Sequence, residues 1–251
     1  MPLGVVLCTG ILRSGSTWSF NVCRLMAKVV AGRERTPMWS GYMLAQQTEQ
    51  FFQTTGHPPG PTIIKTHGLG PVALEKVRTE QAKSVCTYRD PRDCVASLIT
   101  FTGQYFEEAV ESIRGTMGIL DEYMKAGNTH FIRYEEMLGD SLSQCRGIGD
   151  YLGITIEEPM LAKIDEMSNL ESSKKVCEDL RHRPAGQFMR SAEDHRVDPQ
   201  TWLHHNHIHS GQVGRWREEM SPQQVQEINR VFTPWLERLG YVGAPATKRA
   251  G

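Results

Sequence analysis

The stretch CTGILRSGSTW, residues 8–18, decides the fold of this chain. Gly10 and Gly15 have the spacing of the phosphate-loop pattern G-x-x-x-x-G-K-[ST], and Thr17 occupies its last position. Ser16 stands where that pattern has lysine. Amide groups at the start of a helix attract anions, because they point outward and the helix dipole adds to their charge. The stretch therefore predicts an anion-binding loop, with a turn that only caps a helix as the structural alternative.

Apolar segments alternate with amphipathic ones along the chain. Strands are predicted at 4–10, 62–67, 83–90 and 129–137. Helices are predicted at 16–32, 91–101, 107–127, 141–152, 157–167 and 221–241, the last one kinked or broken at Pro234. The polar, weakly patterned residues 171–210 predict a mobile loop region. The alternation favours one α/β domain over residues 1–251, with a P-loop-like fold and a mainly parallel central sheet flanked by helices.

The composition narrows the class of protein. The chain has 251 residues, of which 39% are hydrophobic and 23% charged, and its formal net charge is −1. This balance provides no basic field for nucleic acid or an anionic membrane, so we expect neither partner. We also expect no spanning helix, which needs about 18 apolar residues in a row, and no signal peptide. The six cysteines form no CxxC pair, which favours reduced thiols in a cytoplasmic protein.

Polar side chains follow each of the four predicted strands. They are Arg13, Ser14, Ser16 and Thr17 after the first strand, Lys65 and His67 at the end of the second, Arg89 and Ser97 after the third, and Tyr134 after the fourth. Ligands of parallel α/β sheets bind beyond the carboxyl ends of the strands. We therefore expect these side chains to gather at one edge of the sheet.

These side chains suit a ligand with two anionic groups. Lys65 and His67 are two residues apart, so in an extended chain they face one side and can act as charge stabiliser and general base. A hydrogen-bonded structural histidine is the alternative. Arg89 can bind a phosphate through two N–H groups, or pair with Asp90 or Asp93. The tyrosine can meet a base or pack in the core. Together they predict a nucleotide with one phosphate at the loop and another at the arginine.

The segments RSGSTW, KTH, YRDPRDCVAS, RYEEM and GQVGRW follow one another in this order over nearly the whole chain. In this combination they resemble the PAPS-dependent sulfotransferase family, in particular its soluble cytosolic-type and bacterial members. The resemblance implies transfer of a sulfonate group from PAPS to a hydroxyl, less often an amine, of a small-molecule acceptor. It implies release of adenosine 3′,5′-bisphosphate (PAP) and no metal at the site.

The same resemblance implies a role for each matching residue. It makes His67 the base, with Lys65 and Arg13 stabilising charge at the transferring group. It assigns the 5′-phosphosulfate to the loop, the 3′-phosphate to the third strand and the adenine to the fourth. The nucleotide-binding residues that it implies are Arg13, Ser14, Gly15, Ser16, Thr17, Trp18, Arg89, Ser97, Tyr134, Ser168, His209, Ser210 and Gly211.

The chain departs from the family pattern at two places. Arg13 stands where the family loop, similar to K-S-G-T-T-W, has lysine, and arginine cannot give up its proton at a bridging oxygen. Towards the carboxyl end, eukaryotic members show R-K-G-x-x-G-x-W. This chain has His209 and Ser210 in place of the Arg-Lys pair, although Gly211 and Trp216 match.

Other interpretations stay open from the sequence. They are an ATP- and Mg²⁺-dependent small-molecule kinase of P-loop type, a non-catalytic nucleotide-binding protein, and a structural or interaction protein. The tract HHNHIH, residues 204–209, has no Cys or carboxylate at ligand spacing, so we expect a mobile lid and no metal. Glu107, Glu108 and Glu111 either line a cleft for a cationic acceptor or form a solvated face. A homodimer also stays open.

Overall fold

A five-stranded parallel sheet forms the centre of the protein in a computed structural model, which describes residues 3–55, 58–68, 70–192 and 194–242. Its strand order is β2-β3-β1-β4-β5. The strands are β1 Val5–Gly10, β2 Trp39–Tyr42, β3 Thr62–Lys65, β4 Ala82–Tyr88 and β5 Thr129–Arg133. All pairs are parallel, so every carboxyl end lies at the same edge.

Helices cover both faces of this sheet. They are α1 Ser16–Glu34, α2 Ala45–Thr54, α3 Pro71–Arg78, α4 Pro91–Thr102, α5 Phe106–Ala126, α6 Tyr134–Gly139, α7 Ser141–Leu152, α8 Glu158–Ser168, α9 Leu170–His182, α10 Trp216–Glu219 and α11 Pro222–Arg238. Two short antiparallel strands, β6 Met189–Arg190 and β7 Arg196–Val197, form a separate ladder. None of these helices, within the described ranges, is long and apolar enough to cross a membrane.

The central strand β1 is apolar on both faces because helices pack on both. Val6 and Cys8 belong to the core that α1, α7 and α8 close. Val5 and Leu7 point the other way, into the core under α3 and α5. All six residues of β1 are buried, as expected for the middle of a parallel sheet. The predicted α/β class with a mainly parallel sheet is confirmed.

Several local predictions differ from the structure. The strand predicted at 129–137 ends at Arg133, where α6 follows, and the helices α2 and α3 were not predicted. The sequence predicts no strand at Trp39–Tyr42, which forms the edge strand β2. Residues 171–210 are predicted as loop, but Leu170–His182 form α9, which begins at the cap Asn169. Pro234 neither ends nor interrupts α11 in the structure, so the predicted break is wrong. That helix is held by Ile228, Phe232 and Leu236, which bury one apolar stripe in the core.

Candidate active site

A cavity of about 700 Å³ opens at the carboxyl edge of the sheet. Residues that follow β1, β3, β4 and β5 all contribute to its wall, as the strand-end rule predicts. Most of the predicted site residues line it, namely Arg13, Gly15, Ser16, Thr17, Trp18, Lys65, His67, Arg89, Ser97, Tyr134, Ser168, His209 and Gly211. The topology therefore brings the predicted groups into one space.

The loop between β1 and α1 depends on close backbone approach. A Cβ on Gly10 would lie 2.3 Å from Thr87 Oγ1 and 2.5 Å from the Thr87 carbonyl oxygen, so only glycine fits beside β4. Gly15, the N-cap residue of α1, has φ 93°, in the left-handed region that favours glycine. After this turn, Ser16 and Thr17 begin α1, and their first-turn amides have no partner within the helix. The turn thus presents free N–H groups to the cavity.

Two predicted residues lie outside the cavity lining. The Ser14 hydroxyl is fully buried, 2.7 Å from the Ile11 carbonyl oxygen and 2.7 Å from Thr87 Oγ1, so it fixes the loop to β4. The Ser14 amide also donates to the Ile11 carbonyl. The Ser210 hydroxyl accepts a hydrogen bond from the Gln212 amide at 3.2 Å. The Ser14 hydroxyl thus anchors the loop to β4, and the Ser210 hydroxyl stabilises a local turn.

Lys65 and His67 form a contact pair at the end of β3. Lys65 Nζ lies 3.0 Å from His67 Nε2, and His67 Nδ1 lies 3.2 Å from the Gly10 carbonyl oxygen. A carbonyl oxygen can only accept, so Nδ1 carries the proton and donates to it. The Nε2 lone pair therefore accepts from the lysine ammonium. The glycine loop thus fixes the tautomer of the imidazole and leaves Nε2 unprotonated, against Lys65.

Burial shifts both of these groups toward their neutral forms. Burial, and next to it the charge of Lys65, lowers the pKa of His67 to about 3. Burial also lowers the pKa of Lys65 to about 8, with the Arg13 charge adding to the effect. No carboxylate lies within ion-pair distance of Lys65 or Arg13 among the residues that the structure describes. An anion in the cavity would supply the missing counter-charge.

Arg13 joins the loop to α4. Its Nε lies 3.1 Å from Ser97 Oγ, its Nη2 donates to the His207 carbonyl, and its guanidinium stacks 4.2 Å from the centre of the Phe101 ring. Burial, and next the charge of Arg89, lowers the pKa of Arg13 to about 10. The guanidinium therefore approaches the serine of α4, which the resemblance assigns to the second phosphate.

Arg89 is buried just after β4 and pairs with Asp93, one of the two carboxylate partners that the sequence left open. Its Nη2 lies 3.4 Å from a carboxylate oxygen of Asp93 and donates to the Gln212 carbonyl at 2.7 Å. Its guanidinium stacks 4.1 Å from the Tyr134 ring centre. The Arg89 Nε is buried without a hydrogen-bond partner among the described residues. A buried donor without a hydrogen-bond acceptor destabilises the protein. An anion bound beside Nε would provide that acceptor.

The sequence analysis missed several residues that line the cavity. Tyr42 and Trp202 form an aromatic pair, with ring centres 5.5 Å apart, and Phe101 carries the Arg13 guanidinium. Tyr42 lies on the unpredicted strand β2. Arg215 is also buried in the wall, inside the GQVGRW segment, where its charge was the available signal. The partners of these aromatic and cationic side chains are distant in the chain, so the sequence does not reveal them.

Two other groups from the sequence have no direct part in the cation cluster of the cavity: the three glutamates lie outside the lining, whereas histidines of the HHNHIH tract lie in its wall. Glu107, Glu108 and Glu111 do not line the cavity, and Glu111 pairs with Arg114 on the exposed face of α5. The idea that these carboxylates bind a cationic acceptor is therefore wrong. In the HHNHIH tract, the rings of two histidines pack against Phe101 at 5.3 and 5.7 Å. Within the described ranges, no three His, Cys, Asp or Glu side chains are arranged to hold a metal ion.

The loop, the strand-end cations and the fold define the family. The model of the sulfotransferase domain family matches residues 5–240. The chain therefore belongs to the sulfotransferase family, as the resemblance predicts.

Curated relatives are distant in sequence. They include cytosolic sulfotransferase 17 of Arabidopsis thaliana, 23% identical over 210 residues that cover 74% of this chain and 58% of the relative. Flavonol 3-sulfotransferase of Flaveria bidentis is 24% identical and matches 72% of this chain and 62% of its own length. Amine sulfotransferase of Oryctolagus cuniculus is 21% identical over 88% of this chain and 76% of its own. The chain thus spans about three fifths of the length of the first two.

Solved structures share the fold over nearly the whole chain. Retinol dehydratase in a complex with retinol and PAP has a TM-score of 0.65 at 17% identity, and the match covers 94% of this chain and 82% of the other. Mouse sulfotransferase SULT7A1 complexed with PAP has a TM-score of 0.64 at 17% identity, with 96% and 88% covered. These likenesses confirm the P-loop-like α/β fold.

Proposed function

We propose that this protein transfers a sulfonate group from PAPS to a hydroxyl of a small-molecule acceptor and releases PAP. One observation carries the proposal above the others. Lys65 and Arg13 line a cavity beside the glycine turn without a carboxylate partner among the described residues, and a basic nitrogen of His67 lies against the lysine. Family membership supports it, and two proteins of the same fold are known in complexes with PAP.

The cavity wall suits the two phosphate ends of such a nucleotide. The first-turn amides and hydroxyls of Ser16 and Thr17 suit the 5′-phosphosulfate. Arg89, whose Nε has no partner within the described ranges, and Ser97 suit the 3′-phosphate. One face of the Tyr134 ring is covered by the guanidinium of Arg89, so a base would meet another part of this side chain. Trp18, Ser168, His209 and Gly211 complete the predicted nucleotide contacts.

His67 takes the proton of the acceptor hydroxyl in this proposal. PAPS supplies the activated sulfonate when bound. Lys65 transfers its hydrogen bond from His67 Nε2 to the anionic oxygens, which frees that nitrogen for the acceptor. The acceptor oxygen then bonds to sulfur as its proton moves to Nε2, and the bond from sulfur to the phosphate oxygen breaks. The positive charges of Lys65 and Arg13 stabilise the phosphate oxygen that carries away the electron pair.

The acceptor side of the cavity favours a hydroxyl over an amine. Its wall contains Tyr42, Trp202 and Leu203, which are aromatic or aliphatic. Glu171 is the one carboxylate in the wall among the described residues, and it already pairs with Lys175 at 2.8 Å. A protonated amine would therefore find no free counter-charge here, whereas a neutral alcohol or phenol needs none.

The kinase interpretation has weaker support from the same geometry. A Mg²⁺-dependent phosphoryl transferase needs a carboxylate that is free to hold the metal near the strand ends. Asp90 follows β4, but both of its carboxylate oxygens accept hydrogen bonds from Arg92, at 2.7–3.1 Å. It also caps α4 through the Arg92 amide. A nucleotide-binding protein without activity would have no use for the Lys65–His67 pair.

The test replaces the base and leaves the nucleotide site intact. In His67→Ala, sulfonate transfer from PAPS to a panel of phenols, alcohols and amines should fall by roughly two to four orders of magnitude. The dissociation constant for PAP, measured by calorimetry, should change by less than about threefold, since a neutral imidazole adds little to anion binding. His182→Ala, at an exposed position on α9, is the matched control and should transfer at the parent rate. A protein that binds ATP, needs Mg²⁺ and ignores PAPS would overturn the proposal.

Two finer expectations belong to the same proposal. We expect the protein to work in the cytoplasm, supported by six free, buried cysteines. Light scattering at working concentration tests whether it pairs with a second copy, the homodimer that the sequence leaves open. PAPS and the acceptor are the partners that the proposal requires.

A further inference from the structure

Arg215 is a buried cation for which the sequence resemblance implies no role. Its side chain is only 5% exposed and lines the same cavity as Arg13 and Ser97. It precedes α10 in the segment that also contains Gly211 and the matching tryptophan. Burying an arginine in a cavity wall is costly unless its five N–H donors have hydrogen-bond acceptors.

Two of the three guanidinium nitrogens of Arg215 are engaged. Its Nε and Nη2 both lie 2.7 Å from Glu219 Oε1, and Nη2 lies 3.1 Å from Thr100 Oγ1. Its Nη1 makes no hydrogen bond within the part of the chain that the structure describes. The carboxylate and the hydroxyl thus orient the planar group and leave one nitrogen with two donors to spare.

The anchor of Arg215 places it beside the phosphate subsite of α4. Thr100 lies three residues after Ser97, about one turn along the same face of that helix. Arg13 donates to Ser97, and the charge of Arg215 contributes to the lowered pKa of Arg13. Two guanidinium groups therefore approach the same serine region from different segments.

The charges around this subsite do not balance. Asp93 is already shared between Arg89 and the amides of Gly214 and Trp216. Glu219 is exposed, and within the described ranges Arg215 is its ion-pair partner. Among the described residues, the three guanidinium groups of Arg13, Arg89 and Arg215 thus have two carboxylates in direct ion-pair contact, with Glu135 adding negative charge near Arg89 from further away. Arg13 has no carboxylate partner of its own there, so a bound dianion would find unpaired positive charge. Meanwhile positions 209 and 210, where the family pattern has Arg and Lys, provide no permanent cation.

We propose that Arg215 binds the 3′-phosphate of the nucleotide through Nη1, together with Arg89 and Ser97. Arg215 thus supplies, from within the GQVGRW segment, the permanent charge that positions 209 and 210 just before the segment lack. The inference rests on the proposed function, because it assumes that PAP or PAPS occupies this cavity.

The experiment compares two nucleotides that differ only in the 3′-phosphate. Calorimetry measures the dissociation constants of PAP and of adenosine 5′-phosphate for the parent protein and for Arg215→Gln, Arg215→Lys and Arg217→Gln. Loss of one charged hydrogen-bonding contact should weaken PAP binding of Arg215→Gln roughly 10- to 100-fold. Adenosine 5′-phosphate should bind this variant within about twofold of the parent, which also shows that the site is folded. Arg215→Lys should recover part of the PAP affinity.

Arg217→Gln is the matched control because Arg217 lies two residues away, is exposed and does not line the cavity. It should leave both constants unchanged. Equal weakening of both nucleotides by Arg215→Gln would make the arginine a structural residue and overturn the inference, as would no weakening of either. A parent protein that binds neither nucleotide would instead overturn the proposed function and this inference with it.

Discussion

The pKa of Lys65 should make nucleotide affinity depend on pH between neutral and mildly alkaline conditions. Burial lowers this pKa to about 8, so the ammonium is charged at pH 7 and mostly neutral at pH 9. Only the charged form can pair with the 5′-phosphate. Binding of PAP should therefore weaken as the pH rises through about 8, because the free protein must then take up a proton to bind.

The size of the effect follows from the fraction of competent protein. The apparent dissociation constant is multiplied by 1 + 10^(pH − pKa), which is roughly 1.1 at pH 7 and 11 at pH 9 for a pKa of about 8. We expect a loss of about tenfold in affinity over this range. The shifted pKa values of the two neighbours of Lys65 lie outside the range from pH 7 to pH 9. The pKa of His67 is lowered to about 3, that of Arg13 lies at about 10, and phosphate monoesters complete their ionisation near pH 6.

Calorimetric titration of PAP at five pH values between 6.5 and 9.5, at constant ionic strength, measures this profile. Lys65→Arg keeps its charge throughout and should give a flat profile near the affinity that the parent has at low pH. Lys65→Gln should also be flat, near the affinity of the parent at high pH. If the arginine variant loses affinity with rising pH as the parent does, another group titrates and the reasoning about Lys65 is refuted.

Two predictions concern the stability of the site. Gly10→Ala forces a Cβ to within 2.3 Å of Thr87 Oγ1 and should lower the free energy of unfolding in urea by about 3 kcal/mol, whereas Gly32→Ala on α1, with open space around it, should be neutral or stabilising. Equal effects of the two would contradict the close-approach argument. Asp93→Asn removes the fully buried negative charge that pairs with Arg89, and should lower the free energy of unfolding by about 3 kcal/mol or more in the same assay. Glu111→Gln, which breaks the exposed ion pair with Arg114 on α5, should cost less than about 1 kcal/mol. A loss below 1 kcal/mol would mean that Asp93 does not anchor the buried arginine.

The sequence predicted the parts of the fold that local chemistry determines. β1, the glycine turn and α1 are adjacent in the chain, and each has its own apolar pattern or turn residue. The edge strand β2 was missed because it has only four residues, includes Gly41 and pairs on one side alone. α9 was missed because only Cys177 and Leu180 are buried, too few to produce an apolar stripe.

The site residues that the sequence predicted are those that lie at the ends of strands. Lys65, His67 and Arg89 all follow parallel strands, so topology alone brings them to one edge. Arg215 comes from a segment whose place depends on long-range contacts, such as the hydrogen bond to Thr100. No periodicity in the sequence encodes that contact, and for the same reason the aromatic wall at Tyr42 could not be predicted.

The geometry also separates two kinds of positive charge that the sequence left equivalent. Arg13 makes three contacts at once, to Ser97, to the His207 carbonyl and to the Phe101 ring, which need a planar group with several donors. A lysine offers one nitrogen and no flat face, so it could not make all three. Arg13 thus links the loop to α4 and stays charged at the pH values at which Lys65 titrates. Lys65 can lose its proton and contacts the base directly, so the response of the site to pH depends on Lys65 rather than on the glycine loop.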